Sequence, residues 1–152
     1  MSYKVNAVEV WAGDIMNKAG MLARVLEAVS NAGANLEFMI ARKVTDETSR
    51  VFLSPMKGKK VKKAAQDVGL VPAQGLFGLR VEGPDRPGLA SDLARAVAGQ
   101  GINLRGASAA AIGKKTAVYL AFETEADLKN AMKVAKSAVK KKAVKKSKKG
   151  KK

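Results

Sequence analysis

Apolar and polar positions along the chain form two series with the same order of elements. In the first, the alternation from Lys4 to Trp11 predicts a strand, and a loop from Gly13 to Gly20 follows. Apolar residues then recur at spacings of one, three and four from Met21 to Val29, which predicts a helix with one apolar face on a sheet. Gly33 ends this helix. Residues 36–41, 50–53 and 61–68 continue the series as strand, strand and short helix.

The second series repeats this order from Phe77 onward. Strand alternation over residues 77–81 precedes a helix stripe made by Leu89, Leu93 and Val97. Strands are predicted over residues 102–112 and 118–122, joined by a turn at 113–115, and a capping-box pattern from Thr124 to Asp127 opens the last helix. Residues 70–73 supply a closing strand for the first series, whereas the second has no evident closing strand.

The pattern predicts an α+β fold of two ferredoxin-like units that each read βαββα, with antiparallel sheets, helices on one face and a closing strand in the first unit. The predicted domains are residues 3–73 and 74–139. A fixed offset of 68 residues relates the two series, which indicates one structural unit used twice. Five residue pairs at this offset mark the repeat: Asn17 with Asp85, Gly20 with Gly88, Val29 with Val97, Gly33 with Gly101, and Asn35 with Asn103.

The loop between strand and helix in the second series has the chemistry of a small binding site. Pro87 fixes φ, and Gly88 lacks a Cβ, so a ligand can approach the backbone. The N–H groups of Gly88, Leu89 and Ala90 begin a helix and favour a carboxylate. Asp85 can accept hydrogen bonds from an ammonium group, and Asn103 offers both a donor and an acceptor. These groups together suit a free α-amino acid.

An ordinary structural role is the alternative for each of these residues. A Pro-Gly loop before a helix is common turn chemistry, and Asp85 as a helix cap would need no ligand. Asn35 and Asn103 equally suit turn positions after Gly33 and Gly101.

Composition excludes several kinds of chemistry. The 152-residue chain has no cysteine and no histidine, so it has no disulfide, no thiolate or imidazole metal site and no Ser-His-Asp triad. No pair of acidic residues has a spacing that suggests acid–base catalysis. We therefore expect no enzyme, no cofactor and no metal. No run of about 18 apolar residues exists, so we expect a cytoplasmic protein without a membrane partner.

The net charge of +16 is concentrated at the end of the chain. Residues 129–152 hold 12 lysines and no acidic residue. We expect residues 140–152 to form a disordered tail, because such a run repels itself and buries no apolar surface. The tail is either a solvated end or a non-specific contact for nucleic acid or another polyanion. Its candidate polyanion-binding residues are Lys140, Lys141, Lys142, Lys145, Lys146, Lys148, Lys149, Lys151 and Lys152.

The run Val81–Leu89, followed by Gly101–Leu104, resembles an ACT domain. Residues 4–139 as a whole resemble small stand-alone regulatory proteins made of two tandem ACT domains. The resemblance implies two ferredoxin-like βαββαβ units whose sheets pair side by side, in a homodimer or within one chain. It also implies that amino acids bind between paired units. By position it implies ligand contacts at Asp85, Arg86, Pro87, Gly88, Leu89 and Asn103, and in the first half at Asn17, Lys18, Gly20, Met21 and Asn35. Ala19 stands where the pattern has the loop proline.

Two hypotheses follow from these observations. The first is a non-catalytic sensor that binds a small amino acid and passes its occupancy to a partner. The second is a protein associated with nucleic acid or another polyanion, in which the tail gives affinity and the ACT core serves self-association.

Overall fold

The computed structural model describes the backbone of residues 2–149 and the side chains of residues 2–140. Its chain divides into two compact units. The Gly20 unit consists of residues 8–74, and the Gly88 unit consists of the residues up to Ala7 together with those from Gly75 onward. In chain order the elements are β1 (Lys4–Val8), β2 (Trp11–Met16), α1 (Met21–Asn31), β3 (Phe38–Lys43), β4 (Thr48–Ser54), α2 (Lys59–Asp67), β5 (Val71–Pro72), β6 (Phe77–Pro84), α3 (Leu89–Ala98), β7 (Gly106–Ile112), β8 (Lys115–Phe122) and α4 (Glu125–Lys149).

The Gly20 unit has a four-stranded sheet in the order β3-β4-β2-β5, with each neighbouring pair antiparallel. Val25 and Val29 on α1 pack into one core with Val51 and Leu53 of β4. Gly13 lies buried within β2, and only glycine fits there because an added Cβ would come 2.7 Å from the carbonyl oxygen of Gly69. The expected loop from Gly13 is therefore wrong: the strand continues to Met16, and the loop is shorter.

The Gly88 unit has a four-stranded sheet in the order β1-β6-β8-β7. Leu93 and Val97, two residues of the predicted α3 stripe, are buried with Leu79 of β6 and Phe122 of β8. Two antiparallel four-stranded sheets accompanied by four helices confirm the predicted α+β, ferredoxin-like class.

The closing strand that the second series lacked comes from the start of the chain. β1 lies beside β6, and its Val5 is buried in the Gly88 core. The Tyr3 ring lies against Gly83, where any Cβ would collide with it, and its hydroxyl donates to the carbonyl oxygen of Pro84 at 2.7 Å. The structure thus differs from the predicted division at residues 3–73, because the alternation from Lys4 to Trp11 is two strands in two sheets.

Helix α4 also differs from expectation. Thr124 Oγ1 accepts a hydrogen bond from the Asp127 N–H at 3.1 Å, as the capping-box pattern predicts. The helix then continues to Lys149, whereas disorder was expected from residue 140. Lysine and alanine are both good helix formers, which accounts for the continuation. The Lys140 side chain is exposed, and the other eight tail side chains lie outside the described residues.

Candidate functional site

The two predicted loops have the same backbone conformation. We call residues 17–20 the Gly20 corner and residues 85–88 the Gly88 corner. Gly20 has φ 89° and ψ −13°, and Gly88 has φ 82° and ψ 0°, both in the left-handed region that glycine adopts without a steric penalty. Each glycine is the residue that precedes the first residue of its helix. The repeat found in the sequence is therefore a repeat of backbone geometry.

The hydrogen bonds of the two corners also match. The first helical N–H donates to the residue three positions back, from Met21 to Lys18 at 3.2 Å and from Leu89 to Arg86 at 3.4 Å. The glycine carbonyls accept from Arg24 at 3.0 Å and from Asp92 at 2.9 Å. The corner therefore forms with Ala19 as well as with Pro87, which lies before the helix rather than in its first turn.

Three backbone N–H groups at the Gly88 corner have no acceptor among the described residues. They belong to Gly88, Ala90 and Ser91, since Leu89 donates to Arg86 and Asp92 to Gly88. The predicted set of donors was Gly88, Leu89 and Ala90, so Ser91 takes the place of Leu89. These groups lie at the positive end of α3, a ten-residue helix, and favour a negatively charged partner.

A cavity of about 450 Å³ adjoins this corner. Its volume falls within the range of about 300–1,000 Å³ that is typical of small-molecule sites. One wall is the corner with the start of α3, and the other is formed by β7 and β8. The lining residues are Asp85, Arg86, Gly88, Leu89, Ala90, Ser91, Ala109, Ala110, Ala111, Thr116 and Val118.

Asp85 is an exposed residue in the cavity lining. Its backbone N–H donates to the carbonyl oxygen of Lys114 at 2.8 Å, which holds the corner against the β7–β8 turn. Helix α3 has no side-chain cap, so the alternative that Asp85 caps the helix is wrong. Within the described residues the Asp85 carboxylate has no hydrogen-bond or ion-pair partner, which leaves it available to a cationic group.

Arg86 lines the same cavity but is largely buried, with 12% of its side chain exposed. Its Nη1 lies 2.8 Å from Oδ2 of Asp92 and 3.4 Å from the carbonyl oxygen of Pro87. Its Nη2 is buried and has no partner among the described residues. The ion pair neutralises the guanidinium and joins the corner to the first turn of α3.

The structure brings together only part of the predicted second-half site. Asp85, Arg86, Gly88 and Leu89 line the cavity, whereas Pro87 and Asn103 do not. Strand β7 begins at Gly106, so exposed Asn103 lies in the connection before the strand rather than at its start. Asn35 has the equivalent place before β3 in the Gly20 unit.

Sequence reasoning missed the wall that β7 and β8 contribute. Ala109 pairs with Val118, and Ala111 pairs with Thr116, so these four residues share one face of the sheet. Val118 is buried in the core, which identifies this face as the one that the helices cover. Strand alternation combined with the Gly113 turn would have given this register, but alanine by itself carries no chemical signal.

The Gly20 corner has the same geometry with its polar side chain already occupied. Asn17 Nδ2 donates to the Asp46 carbonyl oxygen at 3.1 Å, and its Oδ1 accepts from the Ser49 hydroxyl at 3.2 Å. Of the other residues predicted there, Lys18 is exposed and Met21 is partly buried. The β3–β4 hairpin therefore holds Asn17 through both ends of its amide.

Residues 78–139 match the ACT domain family. This span runs from β6 into α4 and includes the Gly88 corner and the cavity. Two four-stranded sheets with four helices also fit a tandem arrangement of such units. Comparison with curated protein sequences found no match. Among residues 2–149, no helix has the length and apolar character required to cross a bilayer.

Several solved structures share the fold. A protein from Bacteroides thetaiotaomicron is 17% identical, with a TM-score of 0.70 over 85% of this chain and 88% of that chain. The ligand-free regulatory subunit of aspartate kinase from Thermus thermophilus is 14% identical, with a TM-score of 0.63 over 91% and 97%. The regulatory subunit of aspartate kinase from Thermus flavus is 17% identical, with a TM-score of 0.54 over 90% and 95%. At these identities the similarity concerns the fold.

Proposed function

We propose that this protein is a non-catalytic regulatory protein that binds a free α-amino acid at the Gly88 corner. The observation that carries the proposal is the cavity of about 450 Å³. Its wall holds the three unpartnered N–H groups and also the unpartnered Asp85 carboxylate. An α-amino acid presents a carboxylate and an ammonium on one carbon atom. The amides of Gly88, Ala90 and Ser91 would bind the carboxylate, and Asp85 would bind the ammonium.

The lining chemistry supports binding rather than catalysis. It includes neither histidine nor cysteine. The Thr116 hydroxyl donates to the carbonyl oxygen of Ala110 at 3.1 Å, and Arg86 is paired with Asp92. No described contact joins a nucleophile to a base. The regulatory subunits that share this fold support the same interpretation, since they are named as regulatory parts of a kinase.

Within the proposal, β7 is the element that passes occupancy to a partner. It is the edge strand of its sheet, and Ile112 at its end is 84% exposed. A ligand between the corner and β7 would bias the pairing of this edge with a second copy of the chain. We assign no ligand to the Gly20 corner, because both polar ends of the Asn17 amide are already bonded to the hairpin.

A thermal-shift screen of the twenty amino acids on the full chain tests the proposal. A ligand at a hundred times its Kd stabilises the folded protein by about 2.7 kcal/mol, which raises the melting temperature by several degrees.

The matching 2-oxo acid, which lacks the ammonium, should give a much smaller shift. Asp85→Asn should abolish most of the response. Asp67→Asn, the same change at an exposed carboxylate of the Gly20 unit, should leave it intact. A flat response to all twenty amino acids would refute the proposal.

A second candidate function rests on charge. The 12 lysines of residues 129–152 have no acidic residue among them, and Lys57, Lys59, Lys60, Lys62 and Lys63 on or beside α2 are all exposed. Binding to a phosphate backbone would weaken steeply with salt, because each neutralised phosphate releases counterions. A labelled single-stranded DNA that the chain retains at about 50 mM salt and loses at about 200 mM would support this candidate. Retention independent of salt would contradict it.

A further inference from the structure

We propose that the ligand of the Gly88 corner is an amino acid with an uncharged aliphatic side chain, and that Ala109 and Ala111 select it. This inference rests on the proposed function and adds the class of the ligand. It starts from two facing walls of the cavity: the polar groups lie on the corner and the start of α3, whereas the opposite wall on β7 and β8 is built of alanine, valine and threonine.

The opposite wall exists because the helices leave the edge of the sheet uncovered. Ala109 and Ala111 lie on the same face as Val118, which is 3% exposed and belongs to the core. Both alanines are nevertheless exposed. A side chain on the core face of a strand is buried when a helix packs over it, so these methyl groups mark a gap beside α3. The side chain of a bound amino acid would fill this gap.

The charged groups of the lining belong to the corner and not to the wall on β7 and β8. They are Asp85 and Arg86, whose Nη1 is paired with Asp92 at 2.8 Å and whose buried Nη2 has no partner among the described residues. The Thr116 hydroxyl is bonded to Ala110. With Asp85 and the helix amides holding the ammonium and carboxylate, a charged side chain that extends toward β7 would lose water against methyl groups without gaining a charged partner on that wall. An aliphatic side chain gains from the same burial.

The equivalent face of the Gly20 unit shows what a different selection would look like. At the offset of 68 residues, Ala41 takes the place of Ala109, and Lys43 takes the place of Ala111. The strand register agrees, since Ala41 pairs with Val51 and Lys43 pairs with Ser49. Lys43 is held at 2.7 Å by Asp46. A wall without a charged side chain is therefore a property of the Gly88 unit and not a requirement of the fold.

The second part of the inference is that Ala109 and Ala111 select the ligand, and it depends on the small size of these two side chains. A one-methylene difference in an apolar pocket changes discrimination by about 10–200-fold. Ala109→Leu and Ala111→Leu should therefore weaken binding of valine, leucine or isoleucine by at least about tenfold, because the new side chain occupies the space of the ligand. Leucine is a better strand former than alanine, so both variants should fold. Ala107→Leu is the matched control, since Ala107 lies on the same face of β7 but outside the lining.

Titration calorimetry on the full chain tests this inference. The probes are valine, leucine, isoleucine, serine, lysine, arginine, aspartate and glutamate. The expected result is the tightest binding for an aliphatic amino acid, weakened by Ala109→Leu and Ala111→Leu but not by Ala107→Leu. Ala111→Lys, which copies the Gly20 unit, should also weaken it. Tighter binding of lysine, arginine, aspartate or glutamate would overturn the inference and leave the proposed function standing. Binding unaffected by either leucine variant would also overturn it. Absence of binding by all eight, with a flat response in the twenty-amino-acid screen, would overturn both proposals.

Discussion

The Gly20 and Gly88 corners have one backbone and two different chemical outcomes. Their glycines differ by 7° in φ and 13° in ψ, and their local hydrogen bonds follow the same pattern. The difference lies in the residue that opens each corner. Asn17 satisfies its amide with Asp46 and Ser49, whereas the Asp85 carboxylate has no partner within the described residues. Shared geometry therefore does not imply a shared site.

The same comparison explains why one corner is stabilised by its own chain and the other is left open. The amide of Asn17 has both a donor and an acceptor, so it can join a carbonyl and a hydroxyl of the β3–β4 hairpin. A carboxylate has only acceptors and cannot donate a hydrogen bond to a carbonyl. An aspartate at position 17, such as the Asp85 of the other corner, would therefore leave the Asp46 carbonyl oxygen without this donor. An aspartate in place of the asparagine thus replaces a structural contact with a carboxylate that has no hydrogen-bond partner among the described residues.

The largest expected effect concerns β1, which the Gly88 unit takes from the start of the chain. Tyr3→Ala removes a ring that packs against Gly83 and the Gly88 core, and it should lower the free energy of unfolding of this unit by about 3 kcal/mol. Tyr3→Phe removes only the hydroxyl that donates to Pro84, and it should cost about 1 kcal/mol.

Hydrogen exchange measures this difference unit by unit. Amides of β6 should lose protection in Tyr3→Ala, with those of β2 in the Gly20 unit as the internal reference. Unchanged β6 protection in Tyr3→Ala would mean that the Tyr3 ring does not stabilise the Gly88 sheet. An equal loss in Tyr3→Phe and Tyr3→Ala would assign the whole effect to the hydrogen bond.

The intermediate effect tests whether the two corners are equivalent. Gly20→Ala and Gly88→Ala should each destabilise by about 1 kcal/mol, because alanine pays a steric penalty at positive φ. An added Cβ has no neighbour within 4 Å at either position, so strain is the whole cost. Gly106→Ala is the control, since its Cβ would make an ordinary 3.9 Å contact with Ala121. Denaturant titration of the three variants measures this, and costs that differ between the two corners by more than about 1 kcal/mol would contradict the equivalence.

Sequence patterns predicted the parts of the fold that local periodicity controls. The stripes of α1 and α3 contain the buried Val25, Val29, Leu93 and Val97, as expected. The two glycine corners followed from the repeat. The partner of β1 did not, because alternation shows that a segment is a strand but not which sheet it joins. Val5 and Trp11 stand in one continuous alternation and are buried in different cores.

The candidate site was predictable on one side only. Asp85, Gly88 and Leu89 were found because turn and helix-start chemistry is local in sequence, and Arg86 was added by the resemblance to an ACT domain. Ala109 and Ala111 were not found, because their exposure depends on where α3 lies over the sheet. The bond between Asn17 and Ser49 joins residues 32 positions apart, and no local pattern indicates it. Long-range packing thus decides which of two similar loops is open.

The smallest expected effect isolates that long-range contact. A double-mutant cycle with Asn17→Ala and Ser49→Ala should give a coupling of about 0.5 kcal/mol, since exposed side-chain hydrogen bonds contribute at the low end of the usual range.

The equivalent pair in the other unit is Asp85 with Thr116. A cycle with Asp85→Ala and Thr116→Val should show coupling near zero, because the Thr116 hydroxyl donates to Ala110 and not to Asp85. Denaturant titrations of all variants measure both cycles. Equal coupling in the two cycles would mean that Asp85 is held by its own hairpin as Asn17 is, and the Gly88 corner would then lose the free carboxylate that distinguishes it.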